Sequence, residues 1–134
     1  MISGINHITF AVSDLHRSLG FYRDVLGCKE VYSWDSGAYL EAGGLWLCLS
    51  VDPKATGNSD YSHIAFDVAQ DDFDTLATRI LNSGARSWSE NRSEGSSLYF
   101  CCPDGHRLEL HVGDIRSRLH AINGDRGERC GSAQ

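Results

Sequence analysis

The chain has no long apolar segment and no excess of positive charge. Its 134 residues include 12 Lys and Arg against 18 Asp and Glu, a formal net charge of −6. Nucleic acids are bound chiefly through clusters of Lys and Arg, so this balance argues against such a partner. No apolar run approaches the roughly 20 residues of a membrane-spanning helix. The N-terminus also lacks the basic start and apolar stretch of a secretory signal. The sequence therefore predicts a soluble, cytoplasmic protein.

The cysteines form no paired framework. There are five, an odd number, and two of them, Cys101 and Cys102, are adjacent. A disulfide scaffold or a structural zinc site needs cysteines in pairs at defined spacings, and the chain has no C-x-x-C. We therefore expect reduced thiols, as in a cytosolic protein.

What the chain does contain is a repeat. The string NHITFAV begins at Asn6 and the string SHIAFDV at Ser62, which puts His7 and His63 at equivalent places, 63 − 7 = 56 residues apart. Each histidine opens an alternating apolar run typical of a strand, and a helical pattern follows each run. A period of this size predicts two copies of one supersecondary unit.

The patterns predict an α+β fold made of two βαβββ modules, at about 4–50 and 61–112. In the first module Asp14 is the predicted N-cap of a helix that ends at Gly27. The predicted strands are 5–12, 30–34, 37–42, 45–50, 62–68, 86–88, 97–101 and 106–112, with a second helix at 71–82 and a linker at 51–60. Neither module is large enough to bury its own sheet face, so the two should pair, within one chain or between two chains.

The C-terminal part continues this single domain to residue 122. A short helix is expected over 113–122. Residues 123–134 hold three glycines and no apolar pattern, and we predict a flexible tail there.

Three metal-capable side chains fall on equivalent or neighbouring strands: His7, His63 and Glu109. Two imidazoles and one carboxylate leave open positions on a divalent ion, which is the layout of a catalytic site. A lone histidine or glutamate of this kind is more often a hydrogen-bonded surface group. That plain interpretation is preferred for the unmatched histidines, which are His16, His106, His111 and His120.

Nearly the whole chain, from about Met1 to Leu119, resembles the vicinal-oxygen-chelate superfamily, and most of all its fosfomycin-resistance glutathione transferases. The strings that carry the resemblance are GINHIT (4–9), WDSGAYL (34–40), LWLCLS (45–50), NRSEG (91–95) and PDGHRLELHVG (103–113). DGHxLE is widespread in the superfamily, whereas WDSGAYL and NRSEG together are more specific. The resemblance implies paired βαβββ modules in a curved mixed sheet, in a domain-swapped homodimer whose metal sites are each built from both chains.

The resemblance also implies an activity: Mn²⁺-dependent addition of the glutathione thiol to the epoxide of fosfomycin, which gives antibiotic resistance. The family's metal ligands match His7, His63 and Glu109, and its contact to the epoxide oxygen matches Thr9. The residues that match positions lining the antibiotic pocket are Tyr39, Trp46, Ser93, Ser97, Tyr99 and Arg118. The oxygen donors of its K⁺-binding loop match Asn91, Ser93, Gly95 and Ser97.

These implied roles agree with the chemistry. An epoxide is a poor electrophile until a Lewis acid polarises its oxygen. A hydroxyl at Thr9 can donate to the developing alkoxide, and Arg118 can form a bidentate pair with a phosphonate. Without the resemblance, Tyr39 and Trp46 would be expected in the core and Arg118 in solvent, and Cys48 is expected to be an inert buried thiol.

One departure from the family pattern lies beside Trp88. The family has a lysine at the next position, where it helps to hold the antibiotic's anionic end or glutathione, and this chain has Ser89 followed by Glu90. Losing one contact to a charged group costs about 1.5–3 kcal/mol, which predicts turnover weakened ten- to a hundredfold unless Arg92 compensates. The C-terminal tail also lacks the family's P-Y-x-G ending.

Two other functions stay open. The first is a related enzyme of the same superfamily that opens the epoxide of fosfomycin with water or with another thiol. Thr9 argues against the bacillithiol or cysteine users, which carry cysteine there. Gly43 and Gly44 leave no water-activating carboxylate at their positions, although Glu41 is near. A non-catalytic protein that sequesters bleomycin-like drugs is the second alternative, but such proteins lack the metal triad that this chain has.

Overall fold

The computed structural model describes residues 1–128. The first module contains β1 (His7–Val12), α1 (Leu15–Leu19) with a π-helical continuation (Gly20–Val25), β2 (Lys29–Trp34), β3 (Gly37–Ala42) and β4 (Leu45–Val51). The second contains β5 (Ile64–Asp67), α2 (Gln70–Asn82), β6 (Ser97–Cys101) and β7 (Arg107–His111), and α3 (Ile115–Glu128) follows. No helix in this part of the chain is both long and apolar enough to cross a bilayer.

The start and end of the first helix follow local rules. The Asp14 side chain accepts a hydrogen bond from the Arg17 backbone N–H at 3.0 Å, as an N-cap does. The second half of the predicted helix is a π-helix, which places Phe21 and Tyr22 in the core as an edge-to-face pair 5.3 Å apart. Gly27 then ends the segment with φ of +82°, a conformation that glycine adopts without steric cost.

Two predictions for the second module and the C-terminus were wrong. The expected strand at 86–88 is only one bridge, between Ser87 and Phe100, and the Trp88 indole N–H donates to the Leu108 carbonyl at 2.9 Å. The last helix runs to Glu128 rather than ending at 122. Gly124 and Gly127, both within α3, each cost a helix only about 1 kcal/mol and do not end it. The rest of the predicted tail, 129–134, lies outside the described residues.

Each module forms its own mixed sheet. The first has the strand order β1-β4-β3-β2 and the second β5-β7-β6, with the parallel pairs β1–β4 and β5–β7. In residues 1–128 no strand of one sheet pairs with the other. One apolar core joins the two modules, and its fully buried members include Val12, Tyr22, Leu40, Leu47, Leu49, Ile80, Phe100 and Leu108. The predicted α+β fold of two paired modules is confirmed. The first module is βαβββ, whereas in residues 1–128 the second is βαββ, which makes seven strands instead of eight.

Candidate metal and substrate site

His63 and Glu109 face each other in the second module. His63 directly precedes β5, Glu109 lies on the adjacent strand β7, and the distance between Nε2 and Oε1 is 3.0 Å. His63 Nδ1 lies 2.8 Å from the Tyr61 carbonyl, which can only accept, so Nδ1 carries the hydrogen. With that hydrogen committed, Nε2 and the Glu109 oxygen can share either a proton or a cation.

This pair has the donors of a cation site. Only 7% of the Glu109 side chain and 20% of the His63 side chain is exposed, so bulk water screens the two poorly. An imidazole nitrogen and a carboxylate oxygen are ligands that Zn²⁺, Mn²⁺ and similar divalent ions accept. A cation that both atoms contact would balance the charge of the buried carboxylate. The donor chemistry of these two residues therefore fits a divalent metal.

Aromatic rings enclose His63 on several sides. Its ring centroid lies 5.1 Å from that of Tyr61, 5.0 Å from Trp88 and 6.0 Å from Tyr99. The Arg107 guanidinium covers Trp88 at 5.2 Å. Burial, and next the charge of Glu109, raise the pKa of the Tyr99 phenol, which keeps it a hydrogen-bond donor at neutral pH. These three aromatic rings limit rotation of the His63 side chain and partly exclude water from its Nε2.

His7 lies on the other sheet, in an exposed face of the first module. It pairs in register with Trp46 on β4, and the two rings are 4.4 Å apart. His7 Nδ1 lies 2.7 Å from the Asn6 amide oxygen, which accepts, so Nε2 is the ring nitrogen that remains for a metal. Within the described residues of one chain, no three His, Cys, Asp or Glu side chains gather closely enough to hold a metal ion. The structure thus brings His63 and Glu109 together and leaves His7 apart.

The same exposed face carries the other residues predicted from the first module. Thr9 is paired with Cys48, and Cys48 with Tyr39, so these three form one row across β1, β4 and β3. Tyr39 and Trp46 are 37% and 39% exposed and lie edge-to-face at 5.3 Å, so they are not core residues. Cys48 is half-buried, and the expectation of a buried thiol was wrong for it. A hydroxyl, a thiol and two aromatic rings therefore share one open surface.

Comparison with known proteins gives this arrangement a family. Residues 4–110 match the model of the Glyoxalase/Bleomycin resistance protein/Dioxygenase superfamily. The chain belongs to that superfamily. It is 47% identical over 125 residues to a glutathione transferase, FosA, of Serratia marcescens, covering 90% of this chain and 89% of that one. It is 37% identical to a metallothiol transferase, FosB, of Lysinibacillus sphaericus, with 88% of each covered.

A solved structure from the same superfamily has the same fold. The fosfomycin resistance protein FosX of Listeria monocytogenes, complexed with Mn(II) and a sulfate ion, superposes with a TM-score of 0.82. Its sequence is 33% identical, and the match covers 91% of this chain and 99% of that one. The resemblance to the fosfomycin-resistance members of the superfamily is thereby confirmed.

The predicted potassium loop of this superfamily member is closed by its own hydrogen bonds. The Asn91 amide donates to the Gly95 carbonyl at 2.9 Å, and its oxygen accepts from the backbone and the hydroxyl of Ser93 at 3.1 and 3.2 Å. The fourth predicted donor, Ser97, instead directs its hydroxyl to Glu109 at 2.7 Å. The loop thus brings together three of the four residues predicted to bind K⁺, whereas the hydroxyl of the fourth, Ser97, bonds Glu109.

Arg118, predicted to contact an anion, is held by a carboxylate that the sequence did not indicate. Its Nε lies 3.1 Å from Glu94 Oε1. The same oxygen is 3.3 Å from Nε2 of His111, whose side chain is only 15% exposed. The interpretation of His111 as a surface group was therefore wrong. The one signal for it in the sequence was its alternation with Glu109 on β7, which puts both on one face.

Four cysteines lie in the described part of the chain, and all four are free: Cys28, Cys48, Cys101 and Cys102. The fifth, Cys130, lies outside the described residues. Burial raises the pKa of the Cys28 thiol to about 11, so Cys28 stays protonated and unreactive at neutral pH.

Proposed function

We propose that the protein is a metal-dependent transferase that opens the epoxide of fosfomycin with the thiol of glutathione and so confers resistance. The observation that carries the proposal is the His63–Glu109 pair, a largely buried nitrogen and oxygen whose chemistry fits a divalent cation. The 47% identity to a glutathione transferase of Serratia marcescens favours glutathione as the thiol. Mn²⁺ is the proposed ion, as in the similar FosX structure.

The third ligand is His7 of a second copy of the chain, so that the working form is a homodimer. β1 and β5 are edge strands of their sheets, and an edge strand presents unpaired backbone groups to another strand. His7 begins β1 and His63 directly precedes β5. Pairing β1 of one copy with β5 of another would align these equivalent positions. The exposed aromatic face of the first module would then cover the metal pair of the second copy.

The bound metal supplies Lewis acidity to the epoxide oxygen. The remaining work falls to side chains of this protein. Thr9 donates its hydroxyl hydrogen bond to that oxygen as negative charge develops on it. The thiolate sulfur forms a bond to the epoxide carbon as the C–O bond breaks, and the released oxygen takes up a proton. Tyr39 and Trp46 form an apolar wall for the substrate.

Arg118 binds the phosphonate. With Nε engaged by Glu94, its two terminal nitrogens remain to form a bidentate pair. We propose that the loop 91–97 holds K⁺ through Asn91, Ser93, Gly95 and Ser97, which adds a second positive charge for the phosphonate dianion. In the described structure the first three of these form mutual hydrogen bonds, which a bound ion would replace.

A hydrolase is the second candidate, and one observation favours it. Glu41 on β3 pairs in register with Trp46, which in turn pairs with His7. The carboxylate therefore lies in the same row of the exposed face as a proposed metal ligand, although Gly43 and Gly44 carry none. From there it could activate water instead of a thiol.

The decisive experiment follows fosfomycin by ³¹P NMR with Mn²⁺, K⁺ and glutathione, against reactions with cysteine or with no thiol. The proposal predicts a glutathione adduct and no product in either control. A diol formed without thiol would establish the hydrolase and exclude the transferase. If no product forms while Mn²⁺ is bound, fosfomycin is not the substrate. A Glu41→Gln variant tests the second candidate, since only a hydrolase needs that carboxylate.

A further inference from the structure

A chain of polar contacts in the second module joins two residues of the proposed site. Glu94 Oε1 lies 3.1 Å from Nε of Arg118 and 3.3 Å from Nε2 of His111. On the other side of the imidazole ring, His111 Nδ1 lies 2.6 Å from the Ser97 hydroxyl. That hydroxyl donates to Glu109 Oε2 at 2.7 Å. His111 is therefore the central member between Arg118 and Glu109.

The ring of His111 is held tightly at that place. A Cβ atom on Gly113 would lie 3.2 Å from its Nε2, and a Cβ on Gly95 would lie 3.4 Å from its Cε1. The backbone thus approaches the imidazole from two sides at positions where no side chain intervenes. Both glycines have positive φ, +129° and +78°. A ring packed between two backbone segments has little freedom to rotate, so its two nitrogens keep their directions.

The contacts link four separate elements. Glu94 lies in the loop before β6, Ser97 begins β6, Arg118 lies on α3, and His111 and Glu109 lie on β7. The side chains of Arg118, Glu94, His111 and Glu109 are each less than a third exposed, which protects their contacts from competing water. The backbone also ties the loop to the end of β7, because the Val112 N–H donates to the Ser96 carbonyl at 2.9 Å. The side-chain contacts add to this link by joining Arg118 to the proposed metal pair.

We propose that His111 is a positioning residue that aligns Arg118 and the metal ligand Glu109 through Glu94 and Ser97. This role rests on the proposed function, because it matters when Arg118 holds a phosphonate whose epoxide is presented to the metal. Through Ser97, the ring fixes which oxygen of Glu109 remains directed at His63. Through Glu94, it fixes the plane of the guanidinium. Hydrogen bonds to metal-ligating carboxylates typically change metal affinity ten- to a hundredfold.

Three substitutions at His111 separate its contact to Ser97 from its contact to Glu94. His111→Leu removes both contacts at similar volume. His111→Asn keeps an amide near the place of Nδ1 and can still bond Ser97, whereas His111→Gln reaches the place of Nε2 and can still bond Glu94. His120→Leu, at an exposed histidine of α3, is the matched control. Mn²⁺ affinity is measured by electron paramagnetic resonance of the free ion, and kcat and KM for fosfomycin by the adduct assay.

His111→Leu should weaken Mn²⁺ binding about tenfold and raise the fosfomycin KM by a similar factor. His111→Asn should recover the Mn²⁺ affinity and not the KM, and His111→Gln should recover the KM and not the affinity. Equal losses in the Asn and Gln variants, or an unchanged Leu variant, would overturn the proposal. The Mn²⁺ measurement needs no turnover. If the unmodified protein binds Mn²⁺ yet leaves fosfomycin intact, the proposed function fails. The role of the contact between His111 and Ser97 is then still tested by the Mn²⁺ affinities of the variants.

Discussion

Nε2 of His63 and Oε1 of Glu109 lie 3.0 Å apart, and the hydrogen of the imidazole is committed to the Tyr61 carbonyl on its far side. The imidazole therefore offers Nε2, and the carboxylate offers Oε1, to a proton or a cation between them. The two residues lie 46 positions apart in the chain and meet because β5 and β7 are parallel neighbours.

Removing one ligand should abolish high-affinity metal binding. Glu109→Gln keeps the shape and the contact to Ser97 but removes the negative charge. We expect Mn²⁺ affinity to fall at least about a hundredfold, since even changes to groups around metal ligands cost ten- to a hundredfold. Titration of Mn²⁺ followed by electron paramagnetic resonance measures this. His16→Ala, an exposed histidine of α1, should bind as the unmodified protein does, and unchanged affinity in Glu109→Gln would place the metal elsewhere.

If each metal site is shared between two chains, a heterodimer of two inactive variants should regain activity. His7→Ala and Glu109→Gln should each be inactive alone. In a heterodimer of the two, one site carries both changes and the other carries neither. Random exchange makes half of the dimers mixed, each with one working site, so mixing should restore about a quarter of the activity. No recovery after proven exchange would mean that His7 acts within its own chain or not at all.

The substitution Ser89→Lys should strengthen turnover. The resemblance to the fosfomycin-resistance group implies a lysine at position 89, where this chain has Ser89, whose hydroxyl makes only a 3.4 Å contact to the Glu90 carbonyl. Because a hydrogen bond to a charged group contributes about 1.5–3 kcal/mol, Ser89→Lys should raise kcat/KM ten- to a hundredfold. Asn82→Lys on α2 adds the same charge as a control. An equal gain in both variants would indicate a general charge effect rather than a local contact.

The loop 91–97 should not tolerate a side chain at Gly95. Its φ is +78°, and a Cβ there would collide with the Val112 carbonyl oxygen. Gly95→Ala should therefore cost about 1–3 kcal/mol of unfolding free energy and, on the proposed function, abolish activation by K⁺. Gly43→Ala is a matched control, since φ is +60° but nothing lies within 4 Å of its Cβ. Similar losses in both variants would show that backbone strain alone, and not the close approach, is responsible.

The elements that the sequence predicted are those governed by neighbouring residues. Asp14 caps a helix because its side chain reaches the N–H of Arg17, and Gly27 ends one because it accepts a positive φ. The strands of the repeat follow from apolar alternation. The strand predicted at 86–88 was wrong. Ser87 makes a single bridge to Phe100 and the Trp88 indole bonds Leu108, and both partners lie far from the segment in the sequence.

The site was predicted only in part, for the same reason. The repeat pointed to His63 and Glu109, and the structure joins them. His111 was dismissed because it has no counterpart in the first module, yet its contacts to Ser97 and Glu94 come from segments that the fold brings beside β7. No pattern of spacing along the chain encodes those contacts. They depend on where the loop 91–97 and α3 come to lie.

By itself, the sequence determined the βαβββ repeat, the α+β class and the residue types of the proposed metal pair, because alternation, caps and turns act over a few residues. Only the tertiary structure decided which of these residues meet. It paired His63 with Glu109 through parallel strands, and it left His7 on a separate sheet with an open aromatic face. Packing of one shared core decides those positions, and that packing depends on contacts between residues far apart in the chain.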